Sequence, residues 1–267
     1  MADQLRAGLA GEPRLGRFRL QVLDWTRIAP PDLPAAPALP EEETAAPGQA
    51  AGPATAGATE AGPAADAAAD LAAELGAAAG QLAGDALLGL LTGVAVRHRA
   101  ALTDAAGDFA RNIGFYLAQG ARVRELIRAD LAATAPGRPV ILYGHSLGGV
   151  AAVDLLRESD AAALGVDLLV TAGSQAPWLA LLGLAVPGAD PAAAPAPAPS
   201  APWLNLWDRR DLLAFCAERV WPAGVRSHPV RDVELSSGQA FPQSHGSYFR
   251  SAEGFRAVAD ALFPDPG

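Results

Sequence analysis

A chain of 267 residues is long enough for one large domain with a sizeable core, and the whole of it reads as a single domain. Its net charge of −9, with no lysine at all, excludes the basic face that a nucleic-acid partner needs. One cysteine, Cys216, excludes an intrachain disulfide and fits a reducing compartment, and the four scattered histidines give no metal-ligand spacing.

The first residues lack the basic start and apolar core of a signal peptide. The most apolar uncharged runs, 86–96 and 176–186, fall short of the ~20 residues that span a bilayer, so a cytoplasmic protein without a membrane anchor is expected. Residues 18–24 (FRLQVLD) alternate apolar and polar, as a strand does. Residues 29–65 are Ala/Pro/Gly-rich with an acidic spot at Glu41, Glu42 and Glu43, and they read as a flexible insertion. Residues 66–96 read as a helix, with Asp66 in the N-cap position. Residues 108–133 continue helical, with Phe109, Ile113, Tyr116, Val123, Ile127 and Leu131 forming an apolar stripe. PVILY (139–143) is a short apolar run of the kind buried on both faces of a sheet, followed by a helix over 147–158. DLLVT (167–171), WLNLW (203–207) and VRDVEL (230–235) add three more strands, and 251–263 reads as a closing helix. A second Pro-rich insertion occupies 187–202. Strands alternating with helices imply an α/β fold with a mostly parallel sheet covered on both faces.

Chemistry concentrates at Gly144-His145-Ser146-Leu147-Gly148, which fits G-x-S-x-G. A buried strand runs into it and a helix runs out, so Ser146 falls on a sharp turn at a helix N-terminus. There its hydroxyl stands clear of the sheet, and the Leu147 N–H and the helix dipole can hold an oxyanion. A Cβ at Gly144 or Gly148 is expected to collide with neighbouring backbone. His145 is adjacent to the serine and points another way, so it reads as a packed or hydrogen-bonded histidine and not as the base.

A serine hydroxyl needs a base to take its proton. Two histidines follow Ser146 in the chain. His228 precedes the strand 230–235 and falls at the N-terminal edge of the sheet, whereas His245 follows it through the loop 236–244 and reaches the C-terminal edge, where catalysis in parallel sheets gathers. His245 is therefore the expected base. Two acids follow WLNLW, Asp208 and Asp211; either is placed to orient the histidine, while the other caps the loop or pairs with Arg209 or Arg210.

These segments resemble bacterial serine hydrolases of the α/β-hydrolase superfamily, of lipase/esterase type. The resemblance rests on GHSLGG (144–149), VTAGSQAP (170–177), WLNLWDRRD (203–211) and SHGSYF (244–249), which run in family order within about 108–263. It implies a Ser146, His245, Asp211 triad with no cofactor and no metal, Asp208 being the alternative acid. It places Ser174 and Gln175 near the site. One departure stands out. In the superfamily a strand ending in His-Gly precedes the helix whose tail residues 2–10 resemble, and its loop donates the second oxyanion N–H. That strand lies inside the sheet, between those matching 18–24 and 139–143, and it is expected to lie upstream of this chain's start.

The apolar run 176–186, with Trp178, reads either as an acyl-pocket wall or lid, or as an ordinary buried helix. Two functions follow. One is cleavage of a carboxylic ester of a small-molecule or lipid-like substrate, with amide or thioester cleavage as a variant of it. The other is a catalytically impaired binding or scaffold protein of the same fold.

Overall fold

The computed structural model describes residues 2–23, 99–134, 137–183, 198–223 and 227–264. The chain divides into two compact units, residues 1–30 with 113–267, and residues 31–112. Of the second unit, the described residues are the opening turns of one long helix. The expected insertion 29–65 and helix 66–96 lie outside the described residues, as do most of the second insertion and His98.

The elements run α1 (Ala2–Gly11), α2 (Arg99–Ala132), β1 (Ile141–His145), α3 (Leu147–Glu158), β2 (Leu168–Ala172), α4 (Ala176–Leu181), β3 (Trp203–Trp207), β4 (Val230–Glu234), a 3₁₀ helix (Gln243–Arg250) and α5 (Ala252–Leu262). The strands form one all-parallel sheet in the order β1-β2-β3-β4. Ile141 lies opposite Leu168, Leu169 opposite Trp203, and Trp203 opposite Val230.

The central strands β2 and β3 are buried along almost their whole length, which is why they read as continuous apolar runs. Leu169 and Trp203 face Val123 and Ile127 of α2 and Val150 and Leu155 of α3. Leu168, Val170, Leu204 and Leu206 face Leu5 of α1, Phe255 and Val258 of α5, and Tyr248. Ser251 caps α5, its hydroxyl accepting from the Gly254 N–H at 3.1 Å. α2 is held to α3 by polar bonds as well as by packing. The Tyr116 hydroxyl donates to the buried Asp154 at 2.8 Å, and Arg124 reaches both Tyr116 (3.2 Å) and Glu158 (2.8 Å).

The segment 18–23 is not a strand. Its alternation is real, since Phe18 and Leu20 pack on one core and Leu23 on the other, while Val22 is 45% exposed. A strand also needs a ladder partner, and no hydrogen bond joins these residues to β1. A cavity of about 1380 Å³, bordered by Leu20, Leu23 and the length of β1, lies there instead. The expected helix over 176–186 is shorter in the described residues. It ends at Leu181, which is 71% exposed.

One buried polar chain crosses three strands. The Trp203 indole N–H donates to Thr171 Oγ1 (2.8 Å), and Thr171 Oγ1 donates to Asn205 Oδ1 (2.6 Å). Asn205 Nδ2 donates to Asp232 Oδ1 and to the Phe215 carbonyl, both at 2.8 Å. Asn205→Leu would leave the Thr171 hydroxyl and two acceptors without Asn205, and groups stranded in this way cost about 1–3 kcal/mol. A loss of that size, read as a lower urea midpoint with unchanged slope, is the expected outcome.

Candidate active site

All four strands end at one edge of the sheet, and the loops that leave them carry the chemistry. Ser146 follows β1 directly. It is the one non-glycine residue with positive φ among those described, at φ 54° and ψ −127°. For an L-residue this is a strained conformation. It is held by a bond from the Ser146 N–H to the Ala172 carbonyl (3.0 Å) and by one from the Gly149 N–H to the Ser146 carbonyl (2.9 Å). The turn requires two glycines, and they are not quite the expected pair. A Cβ on Gly144 would lie 2.6 Å from the Gly148 carbonyl oxygen, and one on Gly149 would lie 2.5 Å from Ser174 Oγ. Nothing stands within 4 Å of a Cβ on Gly148, which borders the open cavity beside β1.

His245 sits in the 3₁₀ helix after β4, and Asp211 in the loop after β3. His245 Nδ1 faces both oxygens of Asp211, at 2.9 and 3.0 Å. A carboxylate accepts, so Nδ1 carries the proton and Nε2 is left as an acceptor. Asp208, the other candidate acid, points elsewhere. It accepts from the Arg210 and Ser237 backbone N–H groups, each at 2.8 Å. Burial raises its pKa, and the bonds from Ser237 and Arg210 outweigh that and hold it below the ordinary carboxylate value. Arg209 pairs with Glu234. His228 lies just before β4, at the opposite end of the sheet from Ser146.

Three residues that composition and spacing did not single out support this pair. The Tyr248 hydroxyl donates to Asp211 Oδ2 at 2.7 Å and accepts from the Asp208 N–H at 3.1 Å. Burial, and then the Asp211 carboxylate, push its pKa far up, so it stays a donor. The Ser244 hydroxyl donates to the Arg210 carbonyl at 3.0 Å, tying the loop of the acid to that of the histidine. Gly173, at φ 57°, leaves the space. A Cβ there would lie 2.8 Å from Asp211 Oδ2 and from the Tyr248 ring, and 3.2 Å from His245 Nδ1. The signal for Tyr248 was its position three residues after His245, one turn along the 3₁₀ helix.

His145 packs against His245 with ring centroids 4.6 Å apart, and its Nε2–H donates to the His245 carbonyl at 2.7 Å. Gln175 reaches the serine, with Ser146 Oγ donating to Gln175 Oε1 at 3.5 Å. Both protons of Gln175 Nε2 go to carbonyls, those of Gly173 and Leu213, at 3.1 Å each. No hydrogen bond joins Ser146 to His245 among the described residues. The Leu147 N–H, in the first turn of α3, has no acceptor among them. Ser174 and Trp178 have other partners than a pocket. Ser174 Oγ accepts from the Ala176 N–H (3.2 Å), and Trp178 stacks on Phe215 at 5.7 Å. The large cavity touches Gly144, His145 and Gly148 and none of Ser174, Gln175 or Trp178. The described residues contain no cluster of metal-ligating side chains and no helix long and apolar enough to cross a membrane.

No family model matches the chain, and neither the curated proteins nor the solved structures give a match.

Gly148→Ala should be neutral or stabilising by up to about 1 kcal/mol, because alanine is the better helix residue and the space is open. Gly144→Ala should destabilise by about 1–3 kcal/mol through backbone overlap. Thermal unfolding of the two variants separates these outcomes. Burial, and then the neighbouring His245, lower the His145 pKa from 6.5 to about 4. The unfolded chain therefore takes up this proton first. The stability held by neutral His145 is complete above about pH 6.5 and is lost as pH falls toward 4. Urea midpoints measured across that window should fall less steeply in His145→Asn than in the wild type.

Proposed function

We propose that this chain is a serine hydrolase with an α/β-hydrolase fold that cleaves a carboxylic ester. The observation that carries the reading is the Asp211–His245 pair, at 2.9 and 3.0 Å, on the sheet edge that also bears the strained Ser146. Ser146 Oγ attacks the ester carbonyl while His245 Nε2 takes its proton. Asp211 holds the imidazole in the Nδ1–H tautomer and stabilises the imidazolium. The Leu147 N–H and the dipole of α3 face the developing oxyanion. The intermediate collapses as His245 returns the proton to the departing alkoxide. Water, deprotonated by His245, then attacks the acyl-enzyme, releasing the acid and regenerating the serine. For the first step Ser146 Oγ leaves Gln175 and turns to His245. The substrate is a small-molecule or lipid-like ester, and the lone Cys216 suits a cytoplasmic setting.

One observation favours a second reading, a catalytically impaired binding protein of the same fold. Ser146 rests on Gln175 with its link to His245 unmade.

A fluorophosphonate probe decides between them. Labelling of the wild type that vanishes in Ser146→Ala supports the hydrolase; no labelling of the folded wild type removes it. With p-nitrophenyl esters of rising chain length, Asp211→Asn should lower kcat on the order of 10³–10⁴-fold, the effect of a wrong tautomer. Asp208→Asn, whose carboxylate is held by Arg210 and Ser237 and does not meet His245, should leave kcat within about tenfold of wild type in protein that still folds. Tyr248→Phe removes one donor to Asp211 and should lower kcat by about tenfold with KM little changed.

A further inference from the structure

Gln175, in the turn after β2, is fully buried, and its carboxamide meets the loops that leave β1, β2 and β3. Its orientation is fixed. Both Nε2 protons go to carbonyls, those of Gly173 and Leu213, at 3.1 Å each. Turning the amide over would set Oε1 against those two carbonyl oxygens, so Gln175 offers its oxygen to the nucleophile and not its nitrogen. Nε2 stands 3.4 Å from Ser146 Oγ with no proton left for it, which also removes Gln175 as a donor to the oxyanion. Oε1, 3.5 Å from the same hydroxyl, accepts from nothing else among the described residues.

That single donor is lost during the proposed reaction. Once Ser146 Oγ is esterified it carries no proton, and Oε1 is left buried beside the acyl group without a donor. The deacylating water can supply one. Of its two protons, one goes to His245 Nε2 as the oxygen attacks, and the other is free to bond an acceptor. The carbon under attack is bonded to Oγ, the atom beside which Oε1 stands.

We infer that Gln175 Oε1 holds the hydrolytic water of the second half-reaction, in place of the serine proton that it accepts at rest. The inference rests on the ester-hydrolase reading of the same site. The water oxygen bonds to the acyl carbon, one proton passes to His245 Nε2, and the other stays on the new hydroxyl and is donated to Oε1. The tetrahedral intermediate then breaks its bond to Oγ, Oγ takes the proton from His245, and the carboxylic acid leaves. Oε1 recovers the Ser146 hydroxyl as its donor. An alcohol has no second proton. Methanol in place of water gives its one hydroxyl proton to His245 and has none for Oε1, so Gln175 favours water over methanol as acceptor of the acyl group.

That choice can be measured. With p-nitrophenyl butyrate in buffer containing methanol, the acyl-enzyme partitions between butyric acid and methyl butyrate. The ratio of the two products depends neither on how much of the protein is folded nor on how fast the acyl-enzyme forms. Gln175→Leu and Gln175→Met, which lack the carbonyl acceptor, should each raise the ester-to-acid ratio by about tenfold over wild type. Gln175→Glu keeps an oxygen acceptor in either protonation state and should hold the ratio at or below that of wild type. An unchanged ratio in the leucine and methionine variants overturns the inference. A rise of equal size in Gln175→Glu does so too, because the shape of the side chain and not its acceptor would then be responsible. Wild-type protein that takes no fluorophosphonate label and forms neither product removes the ester-hydrolase reading, and this inference with it. Wild-type protein that labels and forms both products, with a ratio the variants do not move, overturns this inference alone.

Discussion

Parallel pairing is the constraint on which this molecule rests. Four short strands in sequential order, all running the same way, place the four loops that leave them along one edge. Ser146, the Gly173–Gln175 turn, Asp211 and His245 come from those four loops, so residues up to 100 positions apart meet, as the His145 bond to the His245 carbonyl shows. An antiparallel pairing of any one strand would send its following loop to the opposite edge. The same geometry explains the apolar central strands, because helices packed on both faces cover β2 and β3.

Within that frame the local chemistry is a matter of space and of donors. The Ser146 turn exists because Gly144 and Gly149 leave no Cβ where α3 and the following loop approach, and Gly173 does the same beneath the acid and the histidine. The loops are then tied by bonds that do not involve the serine: Tyr248 to Asp211, Ser244 to Arg210, and Gln175 to Gly173 and Leu213. Most of these partners are buried, where an unmade bond is expensive, so they set the position of Asp211 and His245 sharply. Ser146 has only a long contact with Gln175, which suits a hydroxyl that turns toward its base in the proposed reaction. The open flank of β1 is the counterpart of this order. One side of the nucleophile turn is braced by β2, and the other borders a cavity.

Much of the fold was legible because period and run length are local properties. β3 coincides with WLNLW, α3 with 147–158, and the other described strands and the closing helix fall within one or two residues of the expected bounds. Asn205 is an instructive exception inside a correct element. A polar residue in an apolar strand is uninterpretable until Thr171 and Asp232 are seen on either side. The alternation of 18–23 misled for the opposite reason. Its side chains do point to two cores, and what is lacking is a neighbouring backbone, which no periodicity reports.

By itself the sequence determined the α/β alternation, the turn at Ser146 and the histidine that follows the last strand. Each of these depends on residues close in the chain: glycines around a serine, a strand before it and a helix after. The spacing of the residues left two acids three positions apart, of which the resemblance pointed to Asp211, and the tertiary structure shows Asp211 facing the histidine. The alternative, Asp208, is claimed by the backbone N–H groups of Arg210 and Ser237, and the Tyr248 hydroxyl claims Asp211 for the site. Tertiary structure also decided that Gly149 and not Gly148 is the crowded glycine, and that β1 is, among the described residues, paired only with β2. These are questions of which atoms share a space, and that is settled by how the layers pack.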